Sequence, residues 1–330
     1  MNSPTEGAAL AKPDDAVAAN VNAAVTAAQI VEEVRQASAE PVWLSAARRV
    51  TQVAAEHAAA VDREARFPVE AFEAMRRERL LSAMIPAQFG GAGLTLAETA
   101  RVCETLAHGC SSTAMIYAMH QIQIACIVEH GSAIAWQREM LKRIIDEQWL
   151  LASATSEDMI GGNMRTSACA VDLVDDAFRI EKLAPTISYG AHADGILVTA
   201  RRHPEASASD QVLIVAPRDS LTLELRAGWD ALGMRGTCSE SFRLVAQGRA
   251  EQILPAPFAQ ISDQTMLPVS HMLWAAVWIG IASDAVNRAH QFFRIQARGK
   301  PGVLPPSAAR LAETVALLRM MQARLKAALD

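Results

Sequence analysis

The sequence predicts an α+β chain with an N-terminal helical domain, a middle antiparallel β-barrel domain and a C-terminal helical bundle. Three successive patterns predict it. Apolar residues recur at three- and four-residue steps up to about residue 149. The period then shortens to two between 150 and 256, in short runs bounded by Asp, Pro, Gly and Ser. After Pro255 and Pro257, two long helical patterns occupy residues 257–330. Blocks segregated in this way fit a strand module set between helical ones, not an alternating doubly wound sheet.

Each element has its own signal. Residues 1–40 are rich in Ala and Val with interspersed Asn, Ser and Pro, and read as a flexible extension. From Pro41 onward Trp43, Leu44, Ala47 and Val50 mark one helix, and Val69, Phe72, Met75 and Leu80 mark the next after Pro68. Thr95-Leu96-Ala97-Glu98 has the form of a capping box, so another helix starts there. The stretch from Ser111 to Gly131 is apolar apart from His120, Gln121, Gln123, Glu129 and His130, which predicts one largely buried helix. Ser132 to Gln148 reads as an amphipathic helix through Ile134, Met140, Leu141, Ile144 and Ile145. Strands are predicted around Phe178–Ile180, Ile196–Val198, Val212–Val215 and Leu221–Leu225. Met266–Arg298 and Ser307–Leu329 read as long helices separated by a turn at 299–302. Leu273, Trp274, Val277, Trp278 and Ile281 form a face too apolar for two helices to bury. The reading is therefore of a bundle that is C-terminally incomplete or completed by a partner, as in a homodimer or homotetramer.

Composition narrows the function. The 330 residues are 51% hydrophobic and 20% charged with a net charge of −5, a globular balance with no basic face for nucleic acid. Cys103, Cys110, Cys126, Cys169 and Cys238 include no Cys-x-x-Cys pair, which predicts reduced thiols, no metal site and a cytoplasmic location. Acidic Glu6, Asp14 and Asp15 replace the basic start of a secretory signal. The run Met272–Ile281 is shorter than the roughly 20 residues that span a bilayer, so no membrane span is expected.

Neither Gly-x-Gly-x-x-Gly nor a Walker-type loop occurs. Gly90-Gly91-Ala92-Gly93 fits an inter-helix turn or a ligand loop. Gly161-Gly162-Asn163, after the small polar run Ser153–Glu157, fits a turn or a place where backbone N–H groups approach an anion or a planar ring. His120 and His271 are each a packed histidine or a functional one. Arg235 fits an ion pair at a domain junction or a substrate contact.

Three segments together resemble the acyl-CoA dehydrogenase family of flavoproteins, from about Pro68 to the end. Ile85-Pro86-Ala87-Gln88-Phe89-Gly90-Gly91-Ala92-Gly93 is similar to its Ile-Pro-x-x-x-Gly-Gly-x-Gly element. Ala154-Thr155-Ser156-Glu157 resembles its flavin-contacting Val-Thr-Glu turn. Leu232-Gly233-Met234-Arg235-Gly236-Thr237-Cys238-Ser239 is similar to its Leu-Gly-Met-Arg-x-Thr-x-Ser segment. The resemblance implies a three-domain subunit with FAD between the β domain and the C-terminal helices. It also implies that Thr155 and Ser156 contact the pyrimidine side of the ring, that Ser188 lies near flavin N5 with Thr186 at the family's preceding aromatic position, and that Gly162 and Asn163 lie near the flavin diphosphate or the thioester.

The implied activity is α,β-desaturation of an acyl-CoA or acyl-carrier thioester, with hydride passing to the flavin and electrons onward to an acceptor such as an electron-transfer flavoprotein. The family's glutamate base is not evident in this chain: its usual position in the family falls on a later helix, beyond Asp330, a minority position aligns with Ser270, and an adjacent family arginine aligns with His271. A flavin-diphosphate arginine aligns near Ile295, beside Arg294; Arg294, Arg298 and Lys300 fit either substitutes for it or a basic helix end that complements the helix dipole. Reduced-flavin monooxygenases share this fold and use polar side chains in the same cavity, for which His120, Ser188 and His271 are the candidates. A non-catalytic family member is the third reading.

Overall fold

The computed structural model describes residues 40–158, 160, 162–299 and 307–330; the predicted extension lies outside the described residues apart from Glu40. Trp43–Asp330 is one unit built of helices, then strands, then helices. Helix α1 (Val42–Glu64) buries Leu44, Ala47, Val50, Ala54 and Val61, a stripe at helical spacing. Helix α2 (Val69–Arg77) follows Pro68 and buries Phe72 and Met75. The capping box forms as predicted: Thr95 Oγ1 accepts from the Glu98 amide at 3.2 Å, Glu98 Oε2 accepts from the Thr95 amide at 2.8 Å, and α3 (Leu96–Ala107) begins there. Helix α4 (Ser111–Gly131) is buried on nearly every side, and α5 (Ala135–Glu147) packs through Met140, Leu141, Ile144 and Ile145.

The glycine cluster between α2 and α3 is a turn. The Gly93 amide donates to the Ile85 carbonyl at 2.9 Å and the Leu94 amide to the Ala83 carbonyl at 2.8 Å, folding the segment back on itself. A side chain on Gly91 would run into the Ile85 carbonyl, so close approach of two backbones requires glycine there. Gly90 needs its glycine for a different reason, a φ of +94°; a Cβ there would meet Ile145 Cδ1 at an ordinary contact distance of 3.9 Å.

The strands do not close into a barrel. They form two separate sheets, one in the order β1-β4-β5 and one in the order β2-β3-β7-β6. In the first, β1 (Leu151–Ala154) runs parallel to β4 (Gly195–Arg201), which pairs antiparallel with β5 (Gln211–Pro217). The second is antiparallel throughout: β2 (Asp172–Val174), β3 (Ala177–Ile187), β7 (Glu240–Arg249) and β6 (Leu221–Ala227). Period-two patterning tells which face of a strand is buried, not which strand lies beside it, so the barrel and the wholly antiparallel pairing needed tertiary information. Along β3 the buried positions Phe178, Ile180, Lys182 and Ala184 alternate with exposed ones; the lysine is the exception in an otherwise apolar row.

A short helix α6 (Phe258–Ile261), a π-turn (Ser262–Met266) and α7 (Leu267–Gly299) continue without a break. Gly280 lets α7 cross closely over α3, since a Cβ there would overlap the Glu104 carbonyl. The predicted apolar face of α7 divides. Leu273 and Val277 are fully buried, whereas Trp274 and Trp278 remain 36% and 48% exposed. Helix α8 (Ala308–Leu329) shares a small core with α7 through Ile279, Val286 and Leu318, and leaves Leu317, Met320 and Met321 exposed. By length and composition alone, the continuous helix Phe258–Arg298 would suffice to cross a membrane; in this fold one side of it packs on the helical core.

The turn before α3 yields a graded test. Gly91→Ala is expected to lower unfolding stability by about 3 kcal/mol or more through overpacking, and Gly90→Ala by only about 1 kcal/mol through left-handed strain. Denaturant titration of the two variants measures the difference, and equal losses would remove the close-approach explanation.

Candidate functional site

The end of β3 collects the hydroxyl residues. Ser156, two residues past β1, donates its Oγ proton to the Thr186 carbonyl at 2.8 Å and lies 3.1 Å from Thr186 Oγ1. Thr155 is half-buried beside it, and Thr186 is exposed. Just beyond β3, half-buried Ser188 has its Oγ 2.8 Å from Ser239 Oγ. Ser239 Oγ is in turn 2.8 Å from Thr237 Oγ1, and Thr237 Oγ1 donates to the Met234 carbonyl at 2.8 Å. The structure thus joins Ser156 to Thr186, and Ser188 to a second hydroxyl row from the Leu-Gly-Met-Arg segment.

Buried Tyr189 holds that junction. Its amide donates to the Thr237 and Cys238 carbonyls at 2.7 and 3.1 Å, and its hydroxyl donates to the Leu151 carbonyl at 2.9 Å. Tyr189, Met234 and Cys238 all have positive φ, at 44°, 54° and 44°. Such backbone costs on the order of 1 kcal/mol or more per residue and persists where surrounding contacts over-determine it.

Behind the Ser156 turn lies a feature that sequence reading missed. Glu157 is buried; its carboxylate accepts from Ser167 Oγ at 2.6 Å, the Ala168 amide at 3.2 Å and the Cys169 amide at 2.6 Å. Lys182 Nζ is 3.4 Å from the same carboxylate and donates to the Thr199 carbonyl and hydroxyl at 2.8 and 2.9 Å. Burial pushes the Lys182 ammonium below its ordinary value, and Glu157 opposes that shift. The readable signal was a lysine at the inward parity of a strand, where a charge needs a partner. Glu157 thereby ties residue 157 to residues 167–169 and closes the intervening loop.

Gly162 and Asn163 lie on that loop, both exposed. Asn163 Oδ1 accepts from the Arg165 amide at 3.0 Å, so its side chain serves the loop's own backbone. Gly162 has φ +79° with nothing near a built Cβ; its requirement is conformational and not steric. Arg165 reaches Asp263 on the π-turn at 3.5 Å, over a cavity of about 150 Å³ lined by Gln211, Phe258 and Ser262.

The two histidines are far apart in character. His120 is fully buried on α4, with Nε2 2.6 Å from the Leu81 carbonyl and Nδ1 accepting from the Leu151 amide at 3.0 Å. A carbonyl can only accept and an amide N–H can only donate, so the ring is assigned as the neutral Nε2–H tautomer. Burial, reinforced by the Arg76 charge and opposed by the Leu81 hydrogen bond, pulls its pKa down to about 4. His271 is exposed on α7, and Ser270 Oγ donates to the Leu267 carbonyl at 2.8 Å. Arg235 pairs with Asp230 at 3.1 Å and donates to the Asp62 carbonyl at 2.8 Å, at the end of α1. Arg294 and Arg298 are exposed on α7, and Lys300 lies outside the described residues.

Comparison with known proteins places this geometry among relatives. A family model described as acyl-CoA dehydrogenase, N-terminal domain, matches residues 37–148. A cyclohex-1-ene-1-carbonyl-CoA dehydrogenase of Geobacter metallireducens is 28% identical over 76% of this chain and 67% of its own length. A dibenzothiophene monooxygenase of Mycolicibacterium goodii is 25% identical over 68% of this chain and 56% of its own length. The chain thus spans between about half and two-thirds of these relatives. The crystal structure of FMN-bound TdsC from Paenibacillus sp. A11-2 has the same fold, with a TM-score of 0.76 at 22% identity, covering 87% of this chain and 75% of that one.

Two outcomes test the framework. The native state holds His120 neutral below the ordinary value of about 6.5, so the unfolded chain binds more protons between pH 6.5 and 4. Stability from this residue is complete above pH 6.5 and falls by about 3 kcal/mol as pH drops to about 4. Denaturant unfolding across that range should slope less in His120→Gln than in the wild type. Glu157→Gln should cost about 3 kcal/mol by stranding a buried ammonium, and adding Lys182→Met should recover part of it. Thermal melts of the single and double variants read this out, and a double variant worse than the single would contradict the pairing.

Proposed function

Residues 37–148 are an acyl-CoA dehydrogenase N-terminal domain and the chain has the acyl-CoA dehydrogenase-like fold, and on that premise we propose that it is a flavin-dependent oxidoreductase. The observation that carries the reading is the hydroxyl edge of Ser156, Thr186 and Ser188, with Thr155 beside it. An uncharged planar ring edged with nitrogen and oxygen atoms fits such a set: small hydroxyls hydrogen-bond the edge, their lone pairs accepting from its N–H groups, and leave the face open to a substrate carbon. A bound flavin supplies two-electron redox chemistry that no side chain of the site has. Ser156 and Thr155 would hold the pyrimidine side, Ser188 the N5 edge with Thr186 beside it, and Gly162 and Asn163 the diphosphate of FAD or the thioester.

The first reaction we assign is α,β-desaturation of an acyl-CoA or acyl-carrier thioester, which the relatives named as CoA-thioester dehydrogenases support; an electron-transfer flavoprotein as acceptor belongs to the same proposal. A reduced-flavin monooxygenase is the second reading, supported by the dibenzothiophene monooxygenase relatives. His120 gives both ring nitrogens to backbone, Ser270 bonds its own helix and His271 is exposed, so of the three polar candidates for that reaction Ser188 is the one at the hydroxyl edge. FMN in a solved structure of the fold keeps FMN beside FAD as the cofactor. The division into a helical domain at 41–149, a flavin-contacting β domain at 150–256 and helices from 257 belongs to the same proposal, as do a homo-oligomer and a cytoplasmic location.

Anaerobic titration with FAD and FMN tests the reading. We expect saturable quenching of flavin fluorescence, weakened about tenfold in Ser156→Ala combined with Thr186→Val, which is about 1.4 kcal/mol. Bleaching of the bound flavin by acyl-CoA supports dehydrogenation, and oxygenation dependent on supplied reduced flavin supports the second reaction. Equal affinity in the double variant would refute the hydroxyl edge as the site.

A further inference from the structure

The hydroxyl row behind Ser188 has a direction, and that direction limits what Ser188 can offer a ligand. The row ends on the Met234 carbonyl, which has lone pairs and no proton, so the 2.8 Å contact uses the Thr237 hydroxyl proton. With its proton committed, Thr237 Oγ1 can only accept at its other contact. Ser239 therefore donates to it across 2.8 Å. Ser239 has one hydroxyl proton, so its remaining contact is also as acceptor, and Ser188 donates to it across 2.8 Å. Every proton in the row points inward, toward Met234. The same holds for Ser156, whose proton goes to the Thr186 carbonyl at 2.8 Å.

We propose that Ser188 presents only lone pairs outward and so selects a ligand that donates a hydrogen bond there. This rests on the flavin reading above, with Ser188 at N5, and deepens it: N5 carries a proton in reduced flavin and only a lone pair in oxidised flavin. Reduced flavin matches the row as it stands. Oxidised flavin either leaves N5 facing a lone pair or reverses the row, which puts two acceptors face to face at Thr237 and Met234. The Thr237 amide also donates to the Met234 carbonyl at 3.0 Å, which keeps those two residues from moving apart to relieve the clash. Ser239 and Thr237 are then positioning residues that act through Ser188, and the site is built to retain flavin in its reduced state.

The test compares anaerobic dissociation constants for reduced and oxidised forms of the same flavin, FMN or FAD, together with the midpoint potential of the bound flavin. The wild type is expected to bind the reduced form at least tenfold more tightly, which raises the two-electron potential by about 30 mV over that of free flavin. Ser239→Ala removes the acceptor for the Ser188 proton, freeing it to turn outward, and should bring the ratio close to one. Ser239→Thr keeps the hydroxyl and should keep the preference. A merely structural role for Ser239 would weaken both forms together and leave the ratio alone, which would overturn the proposal. Equal or tighter binding of oxidised flavin by the wild type overturns it while leaving the flavin site standing, and that result needs no variant to fold. Failure of both redox forms to bind removes the flavin reading and this inference with it.

Discussion

The arrangement depends on one uncharged imidazole. His120 is on α4, the Leu81 carbonyl belongs to the 3-10 turn Leu80–Ser82, and the Leu151 amide opens β1. The ring bonds the helical region to the first strand through its two nitrogens, and it can do so only as the neutral tautomer. The Leu151 carbonyl accepts from the Tyr189 hydroxyl, so the same residue also fixes the end of β3 where the hydroxyls collect. Gln121 and Gln148 reinforce the seam by bonding backbone at Leu80, Leu81 and Met84. Buried backbone groups between elements have no water to turn to, and these side chains complete their hydrogen bonding.

From that seam the candidate site inherits its rigidity. Ser156 lies two residues past β1, Thr186 near the end of β3, and Ser188 just after it, beside a backbone reversal that places three non-glycine residues at positive φ. The Glu157–Lys182 pair closes the adjoining loop from beneath. A buried ion pair of this kind contributes little net stability, because desolvation offsets most of the attraction. Its structural effect is geometric: one carboxylate fixes both ends of the loop at once. What remains outward-facing is a set of small hydroxyls whose protons are directed inward, a polarity set by carbonyls at the far ends of the rows.

Much of this was legible in the residues. Helical periodicity predicted α1 to α5, and the Thr95–Glu98 capping box marked the start of α3. Alternation predicted β3 to β6, whereas Ser156, Thr186 and Ser188 were named by the family resemblance, which periodicity does not carry. The Glu157–Lys182 pair was not seen, although Lys182 at an inward strand position announces that some carboxylate must meet it. His120 stayed open between two roles because its partners are backbone groups 39 and 31 residues away, and backbone groups leave no trace in a sequence.

The sequence by itself determined where helices and strands run, which face of each is apolar, and where the glycine turn and the hydroxyl residues sit. These are local properties, set by periodicity, capping and steric allowance within a few residues. Only the tertiary structure decided that the strands form two open sheets with a parallel β1–β4 pair, that His120 is a neutral bridge, and which way the hydroxyl protons point. Each of those is a relation between residues distant in sequence, and hydrogen-bond partners at that range are chosen by packing, not by the neighbours along the chain.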